Sequence, residues 1–288
     1  MNEDARAEAI AHYRAILEDT YGKRPWILAK GILANTTGTV AVLDELGATK
    51  MLCVAAARGT GPMPDGALAP DPIALDVRGD SLMSSLRNGM DALANLSAEH
   101  VARIDAFDPE RHARVIGTLF DDGRPVGGRE KFGRRRAEWI ALEDKLVVDA
   151  IWDECDIPRA ETAIVEATPR ALLAAAKSLD EGLGTVWAGD NKEGYHGGSE
   201  YLRWVRREED REEALAFFAA RCDRVRVMPF LEGIPCSMHG FVFDDEVVAL
   251  RPCEMLVMRR PDSNKLHYSS AATYWDPPEA DRQQMRHM

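Results

Sequence analysis

The chain has 288 residues, a formal net charge of −12, 45% hydrophobic residues and 29% charged residues. This composition is typical of a globular protein with a sizeable core, and the length predicts two domains or one elaborate α/β domain. The net negative charge argues against nucleic acid or an anionic membrane as the main partner.

Signals for secretion and for disulfide bonding are missing from the sequence. The acidic amino terminus lacks the basic and apolar regions of a signal peptide, and no apolar run approaches the roughly 18–20 residues that cross a bilayer. The five cysteines are scattered and odd in number, which suggests no disulfide framework. We therefore expect a cytoplasmic protein.

The first part of the chain alternates helical and strand-like segments. Residues 4–19 place apolar side chains at helical spacing, and Tyr21-Gly22 is expected to end that helix. Residues 26–29 and 51–56 have the character of buried strands, with a helix through Leu46 between them. A β-α-β unit of this kind predicts a parallel sheet by the right-handed crossover rule.

A glycine-rich turn, Arg58-Gly59-Thr60-Gly61-Pro62, follows the second strand at the edge where parallel sheets bind ligands. The dinucleotide fingerprint Gly-x-Gly-x-x-Gly is missing, so a tight turn is favoured over a ligand loop. Residues 63–80 are expected to form a surface loop, followed by a helix at 82–96 and a strand at 114–119.

The segment 121–136 is rich in glycine and arginine and is expected to be a linker, because charge runs are usually solvated. We place a domain boundary near Ile140, which gives domains 1–139 and 140–288. Beyond it the pattern predicts a helix with Val148, Ile151 and Trp152 on one face, a strand at 162–166, a helix at 168–179, a strand at 185–188, a flexible loop at 189–199 and a helix from 208 to 222.

The most informative stretch runs from Val225 to Met258. Two short hydrophobic strands flank Leu231-Glu232-Gly233, and a third strand follows the turn at Asp244-Asp245. Phe230-Leu231-Glu232-Gly233 resembles the linker of the ATP-grasp superfamily, in which strand, linker and strand line the nucleotide cleft. Asp144-Lys145 and the glycine-rich loop at 189–199 precede this linker in the same order as in that family.

The resemblance implies an α/β fold, α+β in its second half: a small Rossmann-like domain that precedes the ATP-grasp domain, then the ATP-grasp domain itself. It implies ATP and Mg²⁺ as cofactors and a small carboxylate as substrate. The implied nucleotide-binding residues are Lys145, Lys192, Gly194, Gly197, Gly198 and Ser199 for the phosphates, Met228, Phe230 and Leu231 for adenine, and Glu232 for the ribose hydroxyls.

These roles agree with the chemistry of the side chains. A lysine neutralises phosphate charge, a glycine loop presents backbone N–H groups to phosphate oxygens, and a carboxylate accepts hydroxyl hydrogen bonds. The alternatives for these positions are a surface lysine, an ordinary hairpin turn, plain hydrophobic core and a solvent-facing glutamate.

Three departures from the family pattern are visible. The second lysine usually found before the glycine loop is replaced by Thr185-Val186-Trp187, with Lys192 as a substitute. The glutamate often found at the start of the linker is replaced by Met228-Pro229, and Pro229 also removes a backbone donor. No late Glu-x-Asn metal element occurs, which leaves Glu254, Asp262 and Asp276 as the candidate carboxylates, with Glu254 as the metal ligand we name, and predicts an ATP-grasp domain that is incomplete at its carboxyl end.

The function implied is an ATP-dependent ligase that joins a carboxylate to an amine or similar nucleophile through an acyl-phosphate. Arg251 and Arg259 are candidate cationic partners of that intermediate. The alternative is a non-catalytic nucleotide-binding module with the same fold. The sequence does not identify the substrates. It also leaves open whether this chain is active on its own and whether it forms a homodimer.

Two rival sites are disfavoured by spacing. Cys236, His239, Cys253 and His267 supply zinc-type ligands, but Cys236 and His239 on one extended strand point to opposite faces. The same two residues could form a Cys-His nucleophile pair, although no third orienting group is identified.

Overall fold

The computed structural model describes residues 3–118, 122–133, 135–194, 196–197, 199–243, 246–259, 262–274 and 276–287. The chain divides into two compact units, Met1–Ile140 and Ala141–Met288. The predicted limits of independently folding domains, 1–139 and 140–288, stay a prediction. Across the described residues, no helix combines the length and apolar character needed to cross a membrane.

The first unit is built on a parallel sheet. Its strands, in the order β3-β2-β1-β4, are β1 (Pro25–Ile32), β2 (Lys50–Ala57), β3 (Ile73–Ala74) and β4 (Arg114–Ile116). Strand β1 is parallel to both β2 and β4. Its successive residues enter two different cores, Trp26 and Leu28 on one face, Ile27 and Ala29 on the other. Burial of both faces explains the uninterrupted apolar sequence of the strand.

Helices alternate with these strands along the chain, and the start of two of them follows from local sequence. They are α1 (Glu3–Tyr21), α2 (Thr37–Glu45), α3 (Leu82–Ala94), α4 (Ala98–Phe107) and α5 (Ala137–Ala141). Ser81 caps α3 by accepting a hydrogen bond from the Ser84 amide, and Ser97 caps α4 in the same way. Gly59 and Gly61 have positive φ angles of 70° and 126°, which agrees with the favoured tight turn.

The second unit contains antiparallel sheets. Its helices are α6 (Val148–Glu154), α7 (Pro169–Leu179), α8 (Glu208–Arg221) and α9 (Glu279–His287). Its strands are β5 (Ala163–Glu166), β6 (Thr185–Gly189), β7 (Leu202–Val205), β8 (Arg224–Pro229), β9 (Cys236–Ser237), β10 (Gly240–Phe243), β11 (Glu246–Ala249), β12 (Cys253–Arg259) and β13 (Leu266–Ala272).

These strands form the sheets β5-β8-β6-β7 and β13-β12-β9 and the hairpin β10-β11. Helices α7 and α8 cover one face of the first sheet, where Leu172, Trp187 and Phe218 are fully buried. The mixed α/β architecture, parallel in the first unit and antiparallel in the second, confirms the predicted fold class. Helix α4 and strands β7 and β13 were not predicted, and β4 ends at Ile116, earlier than expected.

Candidate functional site

A cleft of about 580 Å³ lies in the second unit, where β8 runs into the predicted linker and faces β12. We call it the linker cleft. Its lining consists of Val186, Met228, Pro229, Phe230, Leu231, Glu232, Gly233, Ile234, Pro235, Glu254, Met255, Leu256, Val257, Arg259 and Leu266. Six of these, Met228, Phe230, Leu231, Glu232, Glu254 and Arg259, are site residues that the sequence predicted.

The apolar floor of the linker cleft comes from two neighbouring strands. Val186 of β6 lies opposite Met228 of β8 in the antiparallel register, and both line the cleft. The resemblance implied a lysine on this strand, but the β6 residue that lines the cleft is the apolar Val186. Such a surface suits the face of a flat, uncharged ring rather than a phosphate.

The backbone of the linker offers a ligand the amides that follow Phe230. The Phe230 N–H donates to the Gly184 carbonyl oxygen at 3.0 Å, so this donor is occupied, and the contact of the Phe230 backbone with a base edge stays a prediction. Leu231 is exposed, and its amide makes no hydrogen bond to any described residue. Because Pro229 has no N–H and the Phe230 N–H is occupied, backbone donors for a base edge would come from Leu231 and the linker residues that follow it.

An aromatic stack borders the linker cleft. The rings of Trp204 and Phe230 are stacked with centroids 4.1 Å apart, and the Trp204 indole N–H donates to the Leu183 carbonyl oxygen at 2.9 Å. The guanidinium of Arg259 lies 5.1 Å from the Phe230 ring centroid, within cation–π range. These contacts fix the start of the linker to β7.

Glu232 and Arg259 form a bidentate ion pair. The Arg259 Nη1 and Nη2 atoms lie 2.9 and 2.6 Å from the two carboxylate oxygens. The hydrogen bonds from Arg259 hold the pKa of Glu232 below its ordinary value, against an opposing effect of burial. Each carboxylate oxygen keeps a further lone pair, so the paired Glu232 can still accept a hydroxyl hydrogen bond. Arg259 thus pairs with Glu232, a contact that was not part of its predicted role as a cationic partner of the acyl-phosphate.

Glu254 lies on β12 within the linker cleft and has no arginine or lysine partner among the described residues. The described part of the chain holds no group of three or more His, Cys, Asp and Glu side chains that could bind a metal. Glu254 shares the lining of the linker cleft with one other carboxylate, Glu232, which is paired with Arg259. Two carboxylates are too few for a dedicated metal cage, but Mg²⁺ is commonly bound by one or two carboxylates together with substrate phosphates.

The rival zinc-type residues do not form a site either. The Cys253 Sγ lies 4.0 Å from the His239 Nδ1. Cys253 pairs with Ser237 while Cys236 pairs with Glu254, so the two cysteines point to opposite faces of the sheet. A zinc site with both thiols is excluded by this register.

The predicted glycine-rich loop connects β6 to β7 and is held by its own contacts. Buried His196 stacks on Tyr201 with centroids 4.0 Å apart, and its Nε2 lies 2.8 Å from the Asp190 carbonyl oxygen. Burial lowers the pKa of His196, the contact with Asp190 opposes this, and the positive charge of Lys145 lowers the pKa further. Lys145 therefore lies close enough to the loop for its charge to act there.

The loop residues lie outside the linker cleft. The Lys192 Nζ pairs with the Asp223 Oδ1 at 2.5 Å, next to the start of β8, whereas the linker follows the end of that strand. Six residues lie between Asp223 and Phe230 in β8, and the seven extended steps span a distance of roughly 20 Å. Gly194, which needs its positive φ of 89°, Gly197 and Ser199 belong to the same loop. Gly198 lies outside the described residues.

Comparisons with known proteins bear on the fold. No model of a known protein family matches the chain, and neither does any curated protein. The crystal structure of an L-amino acid ligase from Bacillus licheniformis matches with a TM-score of 0.54 at 15% identity, over 92% of this chain and 58% of that one. The chain has the ATP-grasp fold.

Other ATP-grasp ligases match at a lower TM-score of 0.42. One is D-alanine–D-alanine ligase from Helicobacter pylori, 15% identical over 60% of this chain and 52% of that one. Another is N5-carboxyaminoimidazole ribonucleotide synthetase in an ADP complex, 12% identical over 90% of this chain and 71% of that one. The chain thus spans 52–71% of the length of these three proteins.

The predicted ATP-grasp residues fall into two groups and one outlier. The adenine, ribose and metal candidates meet in the linker cleft, and Lys145 lies near the loop that holds Lys192. Arg251 belongs to neither group, because it lines a separate pocket with Asp276 and Arg282. The sequence analysis missed Val186 and Leu266, which line the cleft, and Trp204, which stacks on Phe230 at its border. Strand alternation could have indicated Val186, but no local signal marks the other two.

Proposed function

We propose that the chain binds ATP in the linker cleft as part of an ATP-dependent ligase. The observation that carries the proposal is the convergence of Met228, Leu231 and Glu232 with Glu254 in one cleft of an ATP-grasp fold. Adenine would lie on the apolar floor with its edge at the Leu231 amide, and the ribose hydroxyls would donate to Glu232.

The reaction proposed is the joining of a carboxylate to an amine. The carboxylate oxygen attacks the γ-phosphorus of ATP and ADP leaves, which gives an acyl-phosphate. The amine then attacks the acyl carbon and inorganic phosphate leaves. A protein accelerates such a transfer chiefly by positioning and by stabilising charge. Lys145 supplies charge for the phosphates, and Lys192 could do so only by releasing Asp223.

Magnesium fits this site in a limited way. Glu254, together with phosphate oxygens, would hold an Mg²⁺ ion that arrives with the nucleotide, and the ion would neutralise phosphate charge. We assign Glu232, whose two oxygens each accept one bond from Arg259, to the ribose hydroxyls, which leaves Glu254 as the lining carboxylate for the ion.

The second candidate is a nucleotide-binding module without ligase activity. The observation that favours it is that, of the two carboxylates lining the cleft, Glu232 is paired with Arg259 and only Glu254 has no cationic partner among the described residues, whereas the resemblance to ATP-grasp enzymes implies two magnesium ions. The two functions differ in a simple measurement, the release of ADP from ATP by the purified chain over a panel of carboxylates and amines.

Calorimetric titration with ATP tests the binding step. Glu232→Ala is expected to weaken ATP binding about tenfold or more, because a charge-assisted hydrogen bond to the ribose is lost. Lys145→Ala is expected to weaken ATP binding more than adenosine binding. Glu212→Ala, an exposed glutamate of α8, is the matched control. Equal ATP affinities for the wild type, Glu232→Ala and Lys145→Ala would refute this site.

A further inference from the structure

The part of the linker that carries Glu232 has few backbone contacts. The Phe230 amide on one side and the Pro235 carbonyl oxygen on the other are hydrogen-bonded to neighbouring strands. Between them, residues 231–234 make no backbone hydrogen bond to any described residue, and all four are exposed. The backbone of such a segment does not fix the direction in which its side chains point.

The side chain of Arg259 supplies the missing contact. It donates to both oxygens of Glu232, and its guanidinium lies 5.1 and 5.4 Å from the ring centroids of Phe230 and Trp204. The backbone of Arg259 is itself held in the β12–β13 ladder, opposite Leu266. A rigid sheet and an aromatic pair therefore hold the guanidinium that contacts the linker.

This ion pair determines orientation rather than stability. The side chains of Arg259 and Glu232 are 40% and 56% exposed, and solvent screens a pair of this kind, so it adds little to the free energy of unfolding. A bidentate guanidinium nevertheless fixes both the position and the plane of a carboxylate. Glu232 is thus held in one orientation before any ligand binds.

The remaining acceptor sites of Glu232 match a vicinal diol. An ionised carboxylate has about four lone-pair sites. Arg259 occupies one site on each oxygen, which leaves one on each oxygen for a ligand. Two neighbouring hydroxyl groups need two acceptor sites, and a carboxylate that is already oriented loses less conformational freedom when it binds them.

We propose that Arg259 is a positioning residue for the sugar of the nucleotide. It holds Glu232 so that the two remaining acceptor sites face the 2′- and 3′-hydroxyl groups, and the preference for ribose over a sugar without these hydroxyls depends on it. The inference rests on the proposed function, because it requires ATP in the linker cleft. It gives Arg259 a role that acts on the sugar through Glu232, rather than directly on a phosphate.

Calorimetric titration of the full chain with ATP, adenosine and 2′,3′-dideoxy-ATP tests this role. We expect the wild type to bind ATP at least tenfold more tightly than 2′,3′-dideoxy-ATP, which cannot donate to Glu232. Arg259→Gln is expected to weaken ATP and adenosine by the same factor, about three- to tenfold, and to leave 2′,3′-dideoxy-ATP within about twofold of the wild type. Arg259→Lys keeps the charge but not the planar fork, so we expect a sugar preference between those of the wild type and Arg259→Gln.

A matched control and a double variant separate this role from general effects. Arg211 of α8 is also 40% exposed and also pairs with a glutamate, Glu208, at 2.6 Å. Arg211→Gln is expected to bind all three probes as the wild type does. Because Arg259 acts through Glu232, the variant with both Glu232→Ala and Arg259→Gln should bind ATP no more weakly than Glu232→Ala alone. Thermal unfolding of each variant checks that it folds.

Three results would overturn the positioning role. The first is an equal loss of ATP and 2′,3′-dideoxy-ATP affinity in Arg259→Gln. The second is a greater loss for ATP than for adenosine, which would place Arg259 on the phosphates. The third is a double variant that binds ATP more weakly than Glu232→Ala.

The wild type distinguishes this inference from the proposed function. If the wild type binds no ATP, the nucleotide site itself is refuted. If it binds ATP and Arg259→Gln keeps the full preference for ATP over 2′,3′-dideoxy-ATP, only the positioning role of Arg259 is refuted.

Discussion

Strand β8, which leads into the linker, is fixed to α6 by a buried ion pair, and removing it should destabilise the second unit. The Arg226 Nε and Nη2 atoms donate to the two oxygens of Asp149 at 2.8 and 2.7 Å. The side chains are only 10% and 8% exposed. The Thr162 hydroxyl also donates to Asp149 at 2.8 Å. Asp149→Asn would leave the guanidinium of Arg226 buried without a counter-charge.

Breaking one partner of a buried pair costs about 3–5 kcal/mol in the free energy of unfolding. For a unit of this size each kcal/mol lowers the melting temperature by about 2–4 °C, so we expect a decrease of about 6–20 °C. Circular dichroism during thermal unfolding measures it. If Asp149→Asn keeps the wild-type circular dichroism at 25 °C but binds ATP more weakly than the wild type, the linker depends on the position of β8.

A matched control lies on the same helix. Asp153 forms a bidentate pair with Arg159 at 2.8 and 2.7 Å, but its side chain is 59% exposed. Because solvent screens an exposed pair, Asp153→Asn should lower the melting temperature far less than Asp149→Asn. Equal decreases for the two variants would show that burial does not govern the strength of these pairs, and the reasoning would fail.

Two further predictions concern acid stability and domain structure. Burial alone would raise the pKa of Asp149, but hydrogen bonds from Arg226 and Thr162 outweigh it and hold the pKa below the ordinary value. The contribution of this depressed pKa to the free energy of unfolding is present above about pH 4 and is lost as the pH falls through the folded-state pKa. Urea unfolding should therefore show the wild type and Asp149→Asn converging on acidification; a constant difference down to pH 2 would contradict this. Trypsin should cut first near Arg136, which is exposed, and leave two resistant fragments; early cuts inside either unit would contradict independent domains.

The sequence predicted those parts of the fold that local patterns determine. The strands at 26–29 and 51–56 are uninterrupted apolar runs, and both are buried in the parallel sheet. Thr168-Pro169 correctly indicated the start of α7, because Thr168 accepts from the Ala171 amide. The linker was recognisable from its glycine and glutamate between two hydrophobic strands.

Contacts between distant residues decided what the sequence could not predict. Nothing near Glu232 indicates that Arg259, 27 residues later, pairs with it. Strand β7 has four residues, and one of them is the buried arginine Arg203, which pairs with Glu213 of α8 at 2.9 Å. A charged residue in so short a strand interrupts the hydrophobic pattern from which a buried strand is predicted. Strand β13 is mostly exposed, so it lacks the hydrophobic alternation that marks a strand.

The central claim is that ATP binds in the linker cleft, and photolabelling with 8-azido-ATP tests it most directly. The azide at the base reacts with the residues that surround adenine, and peptide mapping then identifies them. We expect labelling of the peptide that contains Met228 and Leu231, or of the segment of β12 around Leu256, with loss of labelling when unmodified ATP is added. Labelling confined to the first unit, or labelling that excess ATP does not suppress, would contradict the claim.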